Sequence, residues 1–137
     1  MNQLNLPVEE FTTPDPVTAP ETMPIEEISA IMKECGIRHL PIVRDGKVVG
    51  LVSDRDLKVA MGLNRGEKLM VNASDIMVTD LVTINSTATL DQAAFKMSSK
   101  KIGSLLVNDE NNNFLGIFTA TDALNALIEI VRENLGD

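Results

Sequence analysis

Two short stretches, Gly50-Leu51-Val52-Ser53-Asp54-Arg55-Asp56 and Gly116-Ile117-Phe118-Thr119-Ala120-Thr121-Asp122, place a hydroxyl three residues ahead of a carboxylate, behind a glycine and two apolar residues. That order admits two chemistries. As local structure it is a strand running into a helix, with Ser53 or Thr119 as N-cap and the Asp favoured in the first turn by the helix dipole. As a binding motif, the helix N-terminus offers free N–H groups to an anion and the hydroxyl adds a donor. The carboxylate can then accept two ribose hydroxyls. Spacing alone is compatible with both.

Other reactive residue types are scarce. His39 is the single histidine, so any histidine-based catalysis would run through that position, and it stands beside Arg38 rather than an acid–base partner. A surface or packed histidine and a ligand-binding one both fit. Cys35 is the single cysteine, which excludes an internal disulfide and a cysteine-cluster zinc site. Its place on the apolar side of a helix predicts a core residue. No Ser-His-Asp set, metal cluster or Walker-type glycine loop is evident, so an enzyme is not expected. With no Trp or Tyr, four Phe and a net charge of −8, the chain is not expected to bind nucleic acid. Charge is uneven: residues 31–70 carry eight bases against five acids, whereas residues 1–30 carry six acids and no base. Both a local anion site and a solvated, salt-bridged face would produce that pattern.

The elements that position the two motifs follow from an internal repeat. At an offset of 65, Asp15, Val17, Thr18, Thr22, Met32, Ile37 and Leu40 meet Asp80, Val82, Thr83, Thr87, Met97, Ile102 and Leu105. One residue is then inserted between Asp45-Gly46 and Asn111-Asn112-Asn113, which is turn chemistry, and at an offset of 66 Gly50 and Asp56 meet Gly116 and Asp122. Each copy predicts a short strand (Val17-Thr18, Val82-Thr83) and a helix with an apolar stripe. In the first copy the stripe is Ile25, Ile28, Met32 and Cys35, with Pro24 at the first helical position. In the second it is Leu90, Ala93, Ala94 and Met97, behind a Thr89/Gln92 capping box. A hairpin follows in each, His39–Val43 with Lys47–Ser53 and Ser104–Val107 with Phe114–Thr119. A second helix closes the copy, Asp54–Met61 or the longer Thr121–Asn134. Val8–Phe11 and Ala73–Ile76 each predict one helical turn. The copies span 8–61 and 73–134, joined by a polar linker at 62–72. A unit of this size cannot bury a core alone, so the fold expected is α/β, two β-α-β-β-α repeats packed sheet to sheet about a pseudo-twofold axis with two clefts between them.

The stretch G-I-R-H-L-P-I-V…D-G-K-V-V-G-L-V-S-D-R-D-L at residues 36–57 resembles a CBS (cystathionine-beta-synthase-type) motif. I-G-S-L-L-V…F-L-G-I-F-T-A-T-D-A-L resembles the variant of second repeats, so the chain looks like a tandem CBS pair, or Bateman module, over about residues 8–133. The resemblance implies a regulatory module that binds an adenosine-containing ligand (AMP, ADP, ATP, S-adenosylmethionine or NAD), with Mg²⁺ open, and signals to a protein target by conformational change. It also implies a homodimer.

Carried over by residue, one cleft would combine Thr119, Thr121 and Asp122 with Thr18, Ile37, Arg38, His39, Leu40 and Pro41. The other would combine Ser53, Arg55 and Asp56 with Thr83, Ile102, Gly103, Ser104 and Leu105. Asp56 and Asp122 would take ribose, and the apolar members would sandwich adenine. Arg38, His39 and Arg55 would meet phosphate, helped by Lys58, Lys100 or Lys101. Gly103 and Ser104 stand where the first copy has Arg38 and His39, so unequal sites are implied. The alternative is a structural or oligomerisation module with empty clefts. Ala123, Leu124, Leu127, Ile130 and Val131 share one side of the last helix and form a candidate dimerisation face. The first ten residues carry no basic region and no apolar run, and no stretch approaches the roughly 18 apolar residues of a membrane span. A soluble cytoplasmic protein is expected.

Overall fold

The computed structural model describes residues 6–136. After a 3₁₀ turn at Val8–Phe11 the elements run β1 (Thr13–Pro14), β2 (Ala19–Pro20), α1 (Ile25–Cys35), β3 (His39–Arg44), β4 (Lys47–Ser53) and α2 (Asp54–Met61). Then come α3 (Arg65–Lys68), α4 (Ala73–Ile76), β5 (Thr83–Asn85), α5 (Leu90–Lys100), β6 (Ser104–Asn108), β7 (Phe114–Thr119) and α6 (Ala120–Gly136). Both hairpins, the second helices and the two one-turn segments lie where the sequence predicts them.

Local chemistry explains most boundaries. Asp45 and Gly46 both have positive φ (52° and 77°), as a two-residue hairpin of right-handed strands requires. In the second hairpin, Asp109 Oδ1 accepts from the amides of Asn111 and Asn113, both at 2.9 Å, and this ordered turn absorbs the inserted residue. The Thr89–Gln92 capping box is present, with the Thr89 amide donating to Gln92 Oε1 at 3.0 Å.

Four expectations are corrected. The first strand is Ala19–Pro20 rather than Val17-Thr18, because Ala19 and Pro20 are the residues that pair, parallel, with Ile42 and Val43. Pro24 is the N-cap rather than the first helical residue; its ψ of 148° is extended and its carbonyl accepts the amide of Ile28. Cys35 is exposed: it is the last residue of α1, and the chain leaves the helix at Gly36 in the left-handed region (φ 64°). Ala94 is likewise exposed, and the buried stripe of α5 is Leu90, Ala93 and Met97. The segment 62–72 also holds α3, capped by Asn64 through the Glu67 amide at 2.9 Å.

The described residues form two compact units, one from Val17 to Leu81 and the other from the residues up to Pro16 together with those from Val82 onward. The first unit has sheet order β2-β3-β4, and α1 and α2 bury Ile25, Ile28, Met32, Leu57 and Ala60 with Leu40, Ile42 and Val52 of the strands. The second has sheet order β1-β7-β6-β5, with Leu90, Ala93, Met97, Leu105, Val107, Phe118 and Ala126 in its core; each unit thus buries a core of its own, which corrects the expectation that a single copy could not.

Sequence repeats and packed units therefore exchange their leading segments. Residues 6–16 form an arm on the second copy's unit: Val8 is fully buried there, its amide donates to the Ala88 carbonyl at 2.8 Å, and Thr13 pairs antiparallel with Ile117. The equivalent segment before the second copy does the same for the first. The Ala73 amide donates to Met23 O at 2.8 Å and Val78 bridges Leu51.

Candidate functional site

Both Gly-Φ-Φ-[Ser/Thr]-x-x-Asp stretches, Φ being apolar, turn from a strand into a helix through the same capping geometry. In the first, Ser53 Oγ accepts the Asp56 amide at 3.1 Å. Asp56 Oδ2 in turn accepts the Ser53 amide at 3.3 Å and the Ser53 hydroxyl at 2.8 Å. In the second, Thr119 Oγ1 accepts the Asp122 amide at 3.2 Å, and Asp122 Oδ2 accepts the Thr119 amide at 2.8 Å and hydroxyl at 3.0 Å. Two orphan amides are thus satisfied at each helix start.

Only one oxygen of each carboxylate is used in this way. Asp122 Oδ1 receives a long contact from Thr13 Oγ1 of the arm at 3.5 Å. Among the described residues no donor is recorded for Asp56 Oδ1, and Val78 stands at the position equivalent to Thr13. Each capping carboxylate therefore keeps acceptor capacity on its second oxygen, beyond the bonds of the cap.

The glycines opening the two stretches mark where the arms cross. A Cβ on Gly116 would collide with the Thr13 carbonyl oxygen and come within 2.8 Å of Thr12 Cγ2. A Cβ on Gly50 would collide with the side chain of Met77. Thr13 and Met77 are site neighbours that sequence reasoning missed. The visible signal was a glycine at the same place in both copies of a strand.

The first copy's basic pair opens β3. His39 lies opposite Ser53 in the β3–β4 register, and the Arg38 carbonyl accepts the Asp54 amide at 2.8 Å, mirrored by Gly103 and Ala120 at 3.0 Å. Arg38 is exposed. The His39 ring is half-buried, and among the described residues its buried Nδ1 has no hydrogen-bond partner. Burial, and then the neighbouring Arg38 charge, lower its pKa below the usual 6.5, against a smaller opposing pull from Asp54 and Asp56.

The consequence for stability has a definite sign. A histidine held neutral in the fold takes up a proton more readily when unfolded, so its contribution is fully present above about pH 6.5 and is lost as pH falls from there through the lowered folded value. The melting temperature should therefore fall from pH 7 towards pH 5, and His39→Gln should flatten that part of the profile. A profile unchanged by the substitution would remove His39 as its source.

The remaining expected residues divide by unit. Thr18, Ile37, Arg38, His39, Leu40, Pro41, Ser53, Arg55 and Asp56 belong to the Val17–Leu81 unit, and Thr83, Ile102, Gly103, Ser104, Leu105, Thr119, Thr121 and Asp122 to the other. Thr18, Arg55, Thr83 and Thr121 are exposed, whereas Leu40, Pro41, Ser104 and Leu105 are buried. Leu40 and Leu105 belong to the core clusters of their own units. Lys96, not anticipated, holds the Thr83 carbonyl at 2.6 Å. Among the described residues no group of three or more His, Cys, Asp or Glu could hold a metal ion, and no helix is long and apolar enough to cross a membrane.

Comparison with known proteins follows the same division into copies. The family model described as CBS domain matches residues 8–62 and 73–129. A homoserine O-acetyltransferase of Methanohalobium evestigatum is 34% identical over 123 residues; the match covers 89% of this chain and 24% of the enzyme, so the chain spans about a quarter of that relative. Among solved structures, the CBS domain pair of protein MJ0100, in complex with 5′-methylthioadenosine and S-adenosyl-L-methionine, superposes with a TM-score of 0.77 at 29% identity, covering 88% of this chain and 94% of that one. CBSX2 in complex with AMP gives 0.77 at 26% identity, covering 93% and 99%.

Proposed function

Since the chain belongs to the CBS-domain family, with two tandem copies of the domain, we propose that it is a non-catalytic regulatory module. It binds an adenosine-containing ligand and passes the binding on to a protein target as a change of conformation. The observation that carries this reading is that two CBS-domain pairs similar to this chain over most of its length hold adenosine ligands, AMP in one and S-adenosylmethionine with methylthioadenosine in the other. The chain's own chemistry supports it, because Asp56 and Asp122 each keep one oxygen beyond their cap for a ribose hydroxyl. Arg38 and Arg55 supply cations for phosphate in the first copy, with the neutral His39 beside them, and Gly103 and Ser104 supply none in the second. One site is accordingly proposed to prefer a phosphorylated ligand. The protein is proposed to work as a homodimer.

A structural module without a ligand is the second reading. What favours it is that both carboxylates already serve their own helix caps, which explains the motif without any ligand.

Thermal unfolding against AMP, ADP, ATP, S-adenosylmethionine and NAD, with and without Mg²⁺, separates the two. Ligand at a hundred times its dissociation constant adds about 2.7 kcal/mol, a rise of several degrees. The informative variant is Asp122→Asn. It keeps one oxygen for the Thr119 amide, so the cap survives, but turns an amide NH₂ towards any ribose hydroxyl. A ligand-induced rise that this variant or Asp56→Asn removes at unchanged fold supports the sensor. No rise with any of the five ligands supports the structural module.

A further inference from the structure

Asp56, Val59, Ala60 and Leu63 stand at i, i+3, i+4 and i+7, so they share one face of α2 and its exit. The Leu63 amide donates to the Ala60 carbonyl at 3.1 Å, which carries the helical turn past the end of α2. With Ile76 of α4 these residues line an open groove of about 340 Å³, and all five belong to the Val17–Leu81 unit. That volume lies at the lower end of the roughly 300–1,000 Å³ of small-molecule pockets, as suits a single ring system. The walls are aliphatic, and Val59 is 75% exposed. The one charged group is Asp56, whose Oδ2 serves the Ser53 cap.

At the repeat offsets the five residues correspond to Asp122, Asn125, Ala126, Glu129 and Phe11. The capping Asp is kept, and so is the alanine, which is buried in both copies. The three aliphatic walls are all replaced. Asn125 and Glu129 are exposed on α6. Phe11 is half-buried against the core of its unit, in the 3₁₀ turn that contacts α6. Charge diverges in the same direction: α6 carries Asp122, Glu129 and Glu133 against Arg132, whereas α2 balances Asp54 and Asp56 with Arg55 and Lys58. One copy thus keeps an aliphatic groove beside its carboxylate, and the other has an aromatic ring, an amide and a further acid at the matching positions.

From this divergence we infer that only the first copy seats a purine, its ring against Val59, Leu63 and Ile76 while Asp56 Oδ1 accepts a ribose hydroxyl. Phe11, Asn125 and Glu129 deny the ring that seat in the second copy. The inference rests on the adenosine reading above, and adds which copy is filled and which residues decide it. A purine has apolar faces and polar edges, so aliphatic walls cover the faces while an open groove leaves the edges to water. Ring and hydroxyl are joined through one sugar, and Asp56 and Ala60 lie about one turn, or 5.4 Å, apart along the helix, which matches that short link. In the second copy a ring at this place would take Asn125 and Glu129 out of water with nothing to pair them. A phosphate there would also meet the negative balance of α6.

Calorimetric titration of the full chain with AMP, and in parallel with S-adenosylmethionine, tests the seat. One ligand should bind per chain, and Val59→Asn and Ile76→Phe, which install the character of the second copy, should each weaken it about tenfold or more. Asn125→Ala, at the position matching Val59, should leave the affinity unchanged. Because Val59 is exposed, Val59→Asn should melt at the wild-type temperature without ligand, which separates a lost seat from a lost fold. In protein with labelled Ile, Leu and Val methyls, nuclear Overhauser contacts should run from purine H2 and H8 to Val59, Leu63 and Ile76. Two ligands per chain, an unchanged affinity in Val59→Asn, or purine contacts to Ile37 or Ile102 instead would overturn the seat and leave the adenosine reading standing. No binding of either ligand overturns both.

Discussion

Gly116→Ala should lower the melting temperature by about 6–10 °C, corresponding to about 2–3 kcal/mol, whereas Gly50→Ala should cost about 1 kcal/mol. The two glycines occupy the same place in their copies, and what differs is the neighbour each added methyl would meet. At Gly50 it is the side chain of Met77, whose thioether end can swing to another rotamer. At Gly116 it is the backbone carbonyl of Thr13, with Thr12 behind it. Backbone cannot rotate away, so the arm must shift off β7, straining the Thr13–Ile117 pairing and the weak Asp15-to-Leu115 hydrogen bond of 3.4 Å. Calorimetric scans of the two variants side by side check this. Equal losses would mean that the arm is held less tightly than its contacts imply.

A comparable loss is expected from Phe118→Val, about 2–4 kcal/mol, and it should be partly reversible by a second substitution. Phe118 and Ala93, both fully buried, correspond to Val52 and Ile28 in the first copy, also fully buried. The second copy thus sets a large strand residue with a small helix residue, and the first copy the reverse. Phe118→Val alone leaves a cavity, and Ala93→Ile alone overpacks at a cost of about 1–3 kcal/mol. Together they install the first copy's pair, and the double variant should recover at least half the loss of Phe118→Val. A double-mutant cycle in denaturant measures that coupling. Strict additivity would mean that the two positions do not share volume.

What was legible in the sequence was whatever local chemistry decides. Asp45-Gly46 specifies its hairpin, Thr89 with Gln92 specifies a helix start, and the duplicated Ser53–Asp56 and Thr119–Asp122 spacings specify caps, because each interaction spans four residues or fewer. Cys35 was misplaced although its spacing is right: periodicity assumes that a helix keeps one face inward to its end, and α1 stops one residue before a left-handed glycine. The arm was invisible for a different reason. Thr13-Pro14 is too short for alternation to register, and its partner Ile117 is more than a hundred residues away in sequence. For the ligand site, the residue types and their copies were readable. The division of each Asp between cap and free oxygen was not, since both uses call for the same residue.

The exchanged arm sets an order of events during synthesis. The Val17–Leu81 unit is continuous, so it can close as soon as residue 81 has left the ribosome. The arm cannot be covered until β7 has emerged, and at about 5–20 residues per second that leaves Val8 exposed for several seconds. Closing so long a loop costs entropy that few pairings repay, since β1 contributes two residues. The second unit therefore ends folding as the step that joins residues 6–16 to the elements after Val82, and a destabilised arm would release an apolar segment and an unpaired β7 edge together.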